Sequence, residues 1–475
     1  MHQLAKAVAI AIASFAAAST AHAATFIVSS KTLSFDSSLA HKVEAAGGTV
    51  TTVIPQIGVA VVESADTGYA ARAAKIPGVR SAVYDYVLHS DEPVATSISD
   101  ADFANPPTSG DNDAFFNLQW GAQAIDVAGA WNQGYRGAGV TVAVLDSGVS
   151  CQHPDIAPNL LLAESTSFIA NEGFCHPFNN AFNHGTHVAG IIAAADNGTG
   201  TIGVAPLAKI LAVKVLSDAT GSGSFAGILQ GIVYAADHGA DVINMSLGQH
   251  GGLPVNGKGA NDVSELVNAT KRAVDYARKR NALTVVSAGN DAMDLDHSSG
   301  VQICDSDGTC FVANLRAFPA ELPNVLSISA TAPIGWAKAP TTTFLDNLAS
   351  YSNYGTSAIS LAAPGGDGVY PGNENCTVGG LTQACWVLDL VFAPGGYAVD
   401  SSGHVFASYS WAAGTSMAAP HVAGVAALII GKHGGTMDPS EVERILKASA
   451  DDLGKPGKDP AYGSGRVNAA RAVQM

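Results

Sequence analysis

The chain has 475 residues and a formal net charge of −16, from 24 basic against 40 acidic side chains. That balance argues against nucleic acid as a partner, because a polyanion would be repelled. Hydrophobic residues make up 47% and charged ones only 13%, so the chain can bury a sizeable core and is not of disordered composition. Its length exceeds one ordinary domain but accommodates an α/β core of ~250–300 residues with additional segments.

Residues 1–23 read as a secretory signal peptide: Lys6 supplies the positive start, an apolar run extends from Ala7 to Ala18, and Ala21-His22-Ala23 is a small-x-small cleavage site. The apolar part is too short to span a bilayer, and no later run reaches ~18 unbroken apolar residues, so no membrane partner is expected. The expected destination is extracellular. Residues 24–90 predict a small α+β unit of ferredoxin-like order, β-α-β-β-α-β, with strands near 25–28, 49–54, 58–62 and 79–87 and helices near 37–46 and 66–75. This unit carries no catalytic cluster. Residues 91–112 are polar and rich in turn formers, as in an exposed linker.

From 113 to 475 the pattern changes to strand-then-helix alternation. Short apolar runs at 140–145, 208–215, 242–246, 283–287, 324–329 and 359–363 predict strands, with helices over 225–238 and 262–280. The fold class is therefore α/β, a parallel sheet with helices on both faces and functional residues at the strands' carboxyl ends.

Four stretches carry chemistry. Asp146 closes Val144-Leu145-Asp146-Ser147-Gly148-Val149, His184 opens His184-Gly185-Thr186-His187-Val188-Ala189-Gly190, and Asn290 ends Ser287-Ala288-Gly289-Asn290. Ser416 sits in Gly414-Thr415-Ser416-Met417-Ala418-Ala419-Pro420-His421, at the mouth of a helix kept slim by alanine and glycine. Acyl transfer needs a nucleophile, a base for its proton and a carboxylate to orient that base. Taken singly, each residue has a structural reading as a cap, a turn or a packed histidine.

Together, in the order Asp, His, Ser, these motifs resemble the subtilisin family of serine proteases, and the resemblance covers residues from about 113 to the end. It implies a three-layer subtilisin-like fold and a secreted endopeptidase that hydrolyses polypeptides through an acyl-enzyme. By resemblance, Ser416 is the nucleophile, His184 the general acid and base, and Asp146 its orienter. Asn290 and the Ser416 N–H would form the oxyanion hole. His187 and His421 then become packed neighbours. Ser246, Leu247 and Gly248 would pair with extended substrate, and Ser287, Ala288, Gly289 and Ala317 would line the specificity pocket. Small side chains there favour an apolar residue before the scissile bond, whereas Asp291 would admit a basic one.

The resemblance also makes residues 24–90 a propeptide that acts as chaperone and inhibitor, removed by self-cleavage within 91–112. It implies structural calcium bound by Asp113, Asp155, Ala195, Asn197, Thr199 and Thr201, an oxygen-only set. A monomer is expected. The competing class is a catalytically silent secreted binding protein on the same scaffold, which a complete triad disfavours. A lipase would place its serine in Gly-x-Ser-x-Gly, which Gly414-Thr415-Ser416-Met417-Ala418 is not.

Six cysteines in a secreted chain are expected to pair. Neighbour pairing joins Cys304 to Cys310 and Cys376 to Cys385, leaving Cys151 with Cys175, one of fifteen connectivities. No C-x2-C spacing supports zinc instead. Insertions at about 251–262, 291–315 and 365–409 are expected to form rims of a substrate cleft.

Overall fold

A computed structural model describes residues 23–90, 95–99, 111–177, 180–257, 259–304 and 310–475. The expected signal peptide therefore lies outside the described residues, except for its last alanine. The central sheet runs in the order Asn347–Leu348, Val325–Ala332, Leu283–Ser287, Val242–Met245, Thr141–Asp146, Lys209–Lys214 and Thr166–Ser167, with Leu361–Pro364 also pairing Val325–Ala332. Every pairing is parallel except that of Asn347–Leu348.

Strand pleating divides the core into two layers. Within Thr141–Asp146, Val142 and Val144 join the layer holding the helices His184–Ala193 and Thr415–Lys432. Ala143 and Leu145 point to the opposite face, under the helices Phe225–Asp237 and Ala260–Lys279. The expected three-layer α/β architecture is the observed one.

Residues 24–90 also follow their expected order. The sheet runs Thr49–Ile54, Val59–Ser64, Ala24–Ser30, Val79–Tyr84, all antiparallel, beside the helices Ser37–Ala45 and Tyr69–Ala73. One side of that sheet packs on its own helices through Phe26, Val28, Val62 and Tyr69. The other side, with Ile27, Val59, Val61 and Val83, merges with the core beneath Phe225–Asp237 and Ala260–Lys279. Polar contacts pin the junction: Arg80 pairs with Glu265 at 2.8 Å, and Arg272 donates to the carbonyls of Ser30 at 3.0 Å and Ile57 at 3.2 Å.

Two expectations need correction. The linker is not featureless, because Thr96–Ser99 forms a third strand on the hairpin Val391–Val399 and Val405–Ala412. The composition signalled solvent exposure but not the sheet edge that recruits these residues. The insertion at 365–409 is mostly hairpin, Asn375–Val378 with Leu381–Ala384 followed by the longer pair just named. Cys151–Cys175 and Cys376–Cys385 form as expected. Cys304 and Cys310 face each other in hairpin register, while their side chains lie outside the described residues.

The hairpin lies directly on the His184–Ala193 helix, where a Cβ at Gly190 would come within 2.2 Å of Pro394. Gly190→Ala would gain roughly 1 kcal/mol of helix propensity but incur an overpacking cost of about 1–3 kcal/mol. The expected net result is a lower Tm, read by calorimetry in an inactive background so that self-digestion does not contribute.

Candidate active site

Asp146 ends a buried strand, and its Oδ1 accepts from His184 Nδ1 at 2.8 Å and from Ser147 N at 2.7 Å. Only 4% of the His184 side chain and 1% of the Asp146 side chain reach solvent, so the bond is shielded from competing water. Asn183 caps the histidine helix, its Oδ1 accepting from Thr186 N at 2.8 Å. Gly148 has φ +89° and lets the chain pass against Phe174, whose carbonyl a Cβ would meet at 2.3 Å. There Val149 N donates to Phe174 O and His176 N to Val149 O, each at 2.8 Å. The Cys151–Cys175 bond closes the same contact covalently.

Lys214 is a functional neighbour that sequence reasoning missed. It is fully buried on the strand next to Asp146, and its Nζ donates to Ser147 O at 2.6 Å. Glu172 and Asp218 flank the ammonium at 3.1 Å and 3.4 Å. Burial alone would raise the Asp218 carboxyl, but the His176 hydrogen bond and the Lys214 charge outweigh it and hold the group below its ordinary range. The signal was present in the sequence, as a second lysine closing the apolar run Ile210–Val213.

The helix Thr415–Lys432 packs beside His184–Ala193, and Ser416 lies in its first turn. Ser416 Oγ donates to Ser246 O at 3.3 Å, and Ser246 Oγ donates back to Ser416 O at 2.8 Å. Asn290 Oδ1 accepts from Thr415 N at 2.9 Å and Thr415 Oγ1 at 2.8 Å. With that oxygen committed, the Nδ2 end is the donor available to the pocket that Asn290 shares with Ser416. Thr415 thus orients the amide, a role inside the quoted motif that the sequence did not reveal.

The other two motif histidines are held neutral. Burial lowers His187 to about 3 and His421 to about 4. Their ring nitrogens sit on the carbonyls of Ser410 at 2.9 Å and Met417 at 2.8 Å. Both are packed neighbours, as expected.

Leu247, Gly248, Ser287, Ala288, Gly289 and Ala317 all line one pocket with Ser416 and Asn290. Asp291 is on its wall, accepting from Gly251 N at 2.9 Å and paired with His250 at 2.9 Å. Its charge is thus met by the protein's own groups. Among the described residues, Asp291 alone of the insertion at 291–315 lines this pocket, and none of 251–262 or 365–409 does. Within 291–315 and 365–409 the chain folds into hairpins.

The cleft holds the chain's own backbone. Val87–His89 pairs antiparallel with Ser222–Ser224, and Ser90 N donates to Gly221 O at 3.3 Å. On the other side His250 N donates to His89 O at 3.2 Å, and His89 N donates to Gln249 Oε1 at 3.3 Å. The chain's own strand therefore pairs with Ser222–Ser224 and Gln249–His250, while Ser246 is wholly buried. Ser90 lines the same pocket as Ser416.

The proposed metal residues surround the loop after the histidine helix. Asp155 accepts from Thr201 N at 2.9 Å and Thr201 Oγ1 at 3.0 Å, and from Asn197 Nδ2 at 3.4 Å. Asn197 Oδ1 turns to Thr199, accepting from its N at 2.9 Å and its Oγ1 at 2.6 Å. Ala195 N donates to Asp155 O at 2.9 Å. Asp113 accepts from Asn197 N at 3.3 Å, and carboxylate oxygens of Asp111, Asp113 and Asp196 gather within 4.8 Å of one another. Burial, then the Asp111 carboxylate, pushes Asp113 up to about 8, and burial pushes Asp155 up to about 7.

Residues 137–465 match the model of the subtilase family, peptidase S8. Subtilisin DY of Bacillus licheniformis is 33% identical over 344 residues, covering 72% of this chain and 93% of that protein. Subtilisin of Bacillus pumilus is 33% identical over 358 residues, covering 75% of this chain and 99% of that protein. The crystal structure of fervidolysin from Fervidobacterium pennivorans, a keratinolytic enzyme related to subtilisin, superposes with a TM-score of 0.67 at 25% identity, covering 96% of this chain and 61% of fervidolysin.

Asn290→Ala should leave folding and KM nearly unchanged and lower kcat by ~10²–10³-fold, the loss known for the oxyanion asparagine of subtilisin. Steady-state kinetics on a variant with unaltered circular dichroism checks this. An unchanged kcat would show that the Asn290 amide does not face the developing oxyanion.

Proposed function

The chain belongs to the subtilase family and is a serine-type endopeptidase, and from that premise we propose that it is a secreted enzyme matured by its own active site. The observation that carries this reading is the buried 2.8 Å bond from His184 to Asp146, beside a pocket that Ser416 and Asn290 share with the end of the chain's own 24–90 unit.

In this reading Ser416 Oγ attacks the carbonyl carbon of the scissile bond while His184 Nε2 takes its proton. Asp146 holds the ring by its Nδ1–H and stabilises the imidazolium. Lys214, through the Ser147 carbonyl, steadies the turn that carries Asp146. Negative charge on the carbonyl oxygen is met by Asn290 Nδ2 and the Ser416 N–H. His184 then protonates the leaving amine, and water resolves the acyl-enzyme by the reverse proton path. The substrate is an extended polypeptide held as an added strand. The small residues of the pocket and the engaged state of Asp291 favour an apolar residue before the cut. The two disulfides suit an oxidising compartment, and among the described residues no helix is long and apolar enough to cross a membrane.

Residues 24–90 act as propeptide and inhibitor. The position of Ser90 in the pocket supports a first cut just past it, at the start of 91–112. Ser416→Ala should therefore accumulate as an uncut proenzyme, whereas the wild type should yield a new N-terminus within a few residues of Ser90. Mass spectrometry and N-terminal sequencing of the purified chains read both outcomes. Clean processing of purified Ser416→Ala without another protease would refute self-maturation.

Calcium fits the loop 195–201 in part. Asp113 Oδ2 is buried without a hydrogen-bond partner, and a set of donors that are all oxygen suits a hard divalent ion. Asp113 and Asp155 would hold it, with Asn197 and the loop carbonyls, and the ion would supply charge balance and loop rigidity. A strong chelator should lower the Tm of Ser416→Ala and excess calcium should restore it, by about 2.7 kcal/mol at a hundredfold excess over Kd. Superimposable melting curves would rule the ion out.

A further inference from the structure

We propose that the edge of the strand Val405–Ala412 that pairs with Thr96–Ser99 is a strand-accepting site for the part of the substrate beyond the scissile bond, and that Thr96–Ser99 is its first occupant. The proposal rests on the endopeptidase reading above and extends its cleft on the leaving side.

The hairpin carrying this edge is part of the catalytic surroundings. Val405–Ala412 ends four residues before Ser416 in the chain. Its partner strand supplies Gly395 O, which accepts from the backbone N–H of Asn183, the residue before His184, at 3.0 Å. Ser408 Oγ donates to Ala181 O, which lies just upstream. The edge thus runs away from the nucleophile along the segment that leads into the catalytic histidine.

The chain's own path gives the direction. Ser90 lines the pocket with Ser416, and only residues 91–94 separate it from the next described segment. Five peptide steps span at most about 18 Å, so Ala95 emerges close to the site of cleavage. From there Thr96 pairs with Trp411, Ser97 with Ser410, Ile98 with Tyr409 and Ser99 with Ser408. Pairing begins at the end of the strand nearest Ser416 and proceeds outward, the polarity a substrate would have after crossing the active site from Val87–Ser90. The described residues on either side of 91–94 thus both add to strand edges, Val87–His89 to Ser222–Ser224 and Thr96–Ser99 to Val405–Ala412.

The ladder also reads side chains. Ser97 Oγ meets Ser410 Oγ at 2.7 Å, leaving room for a small polar residue. Ile98, on the alternate face, packs against the main core. A good ligand is an extended peptide with a small residue followed by an apolar one, starting roughly five residues past the cut.

Two peptides sharing one acyl side, one ending three residues past the cut and the other ten, test this with mature wild-type enzyme. A second enzyme carries Gly and Ser in place of residues 95–99, so that its own tail cannot fill the edge. The long peptide should show a kcat/KM about tenfold higher, chiefly through KM, as expected for a few added backbone hydrogen bonds. Two successive prolines at the positions matching Ser97 and Ile98 should erase the gain. A gain seen only in the Gly/Ser enzyme supports the site and shows that the mature N-terminus stays docked there. Short peptides cleaved by both enzymes with no gain from length, or a gain that survives the prolines, overturns the proposal while leaving the endopeptidase reading intact. If neither peptide is cleaved, the endopeptidase reading fails and this inference with it.

Discussion

The structure depends on how closely the helix Thr415–Lys432 can approach the sheet. Every residue from Thr415 to Ile430 is buried, which is possible because alanine and glycine keep the helix narrow. A Cβ at Gly424 would lie 2.6 Å from Val204. A larger side chain would push the helix outward, and Ser416 in its first turn would move with it. Small displacements of reacting groups are costly in rate, so the position of the nucleophile follows from core packing.

A second constraint is that polar groups buried around the reacting atoms must be satisfied. Lys214 is the sharpest case, an ammonium removed from water and compensated by a carbonyl and two carboxylates. His153, His187 and His421 sit in the same interior, each lowered to between about 3 and about 4 by burial and each bonded to a backbone carbonyl. Near neutral pH they carry no charge. His184 differs in facing a carboxylate, the partner that stabilises an imidazolium.

The 24–90 unit is held by two kinds of contact. Its sheet presents an apolar face to the helices Phe225–Asp237 and Ala260–Lys279, which gives area without direction. The Asp85 carboxylate accepts from Ala226 N at 3.0 Å, at the first turn of one of those helices, and the strand Val87–His89 continues into the cleft. Broad apolar docking therefore aims the short strand Val87–His89 at the pocket. The same division holds on the far side of the cleft, where Ile98 packs against the core while the backbone of Thr96–Ser99 completes a sheet.

Much of this was legible in the sequence, because its information is local. The period and length of apolar runs set the strands, and the motifs around Asp146, His184, Asn290 and Ser416 lie at strand ends or helix starts, where their side chains have few places to point. The near-neighbour spacing of Cys376 and Cys385 marked a local closure for the same reason. Tertiary structure decided what depends on pairing across long separations. Residues 96–99 and 408–411 are some three hundred positions apart, and neither stretch alone announces the other, so the linker read as exposed coil. The pairing of Val87–His89 with Ser222–Ser224 was hidden for a similar reason: a backbone edge has no residue signature, and which edge stays open is known only once the neighbouring strands are placed. The orientation of Asn290 by Thr415, and the burial of Lys214 beneath Ser147, likewise required segments distant in the chain to meet.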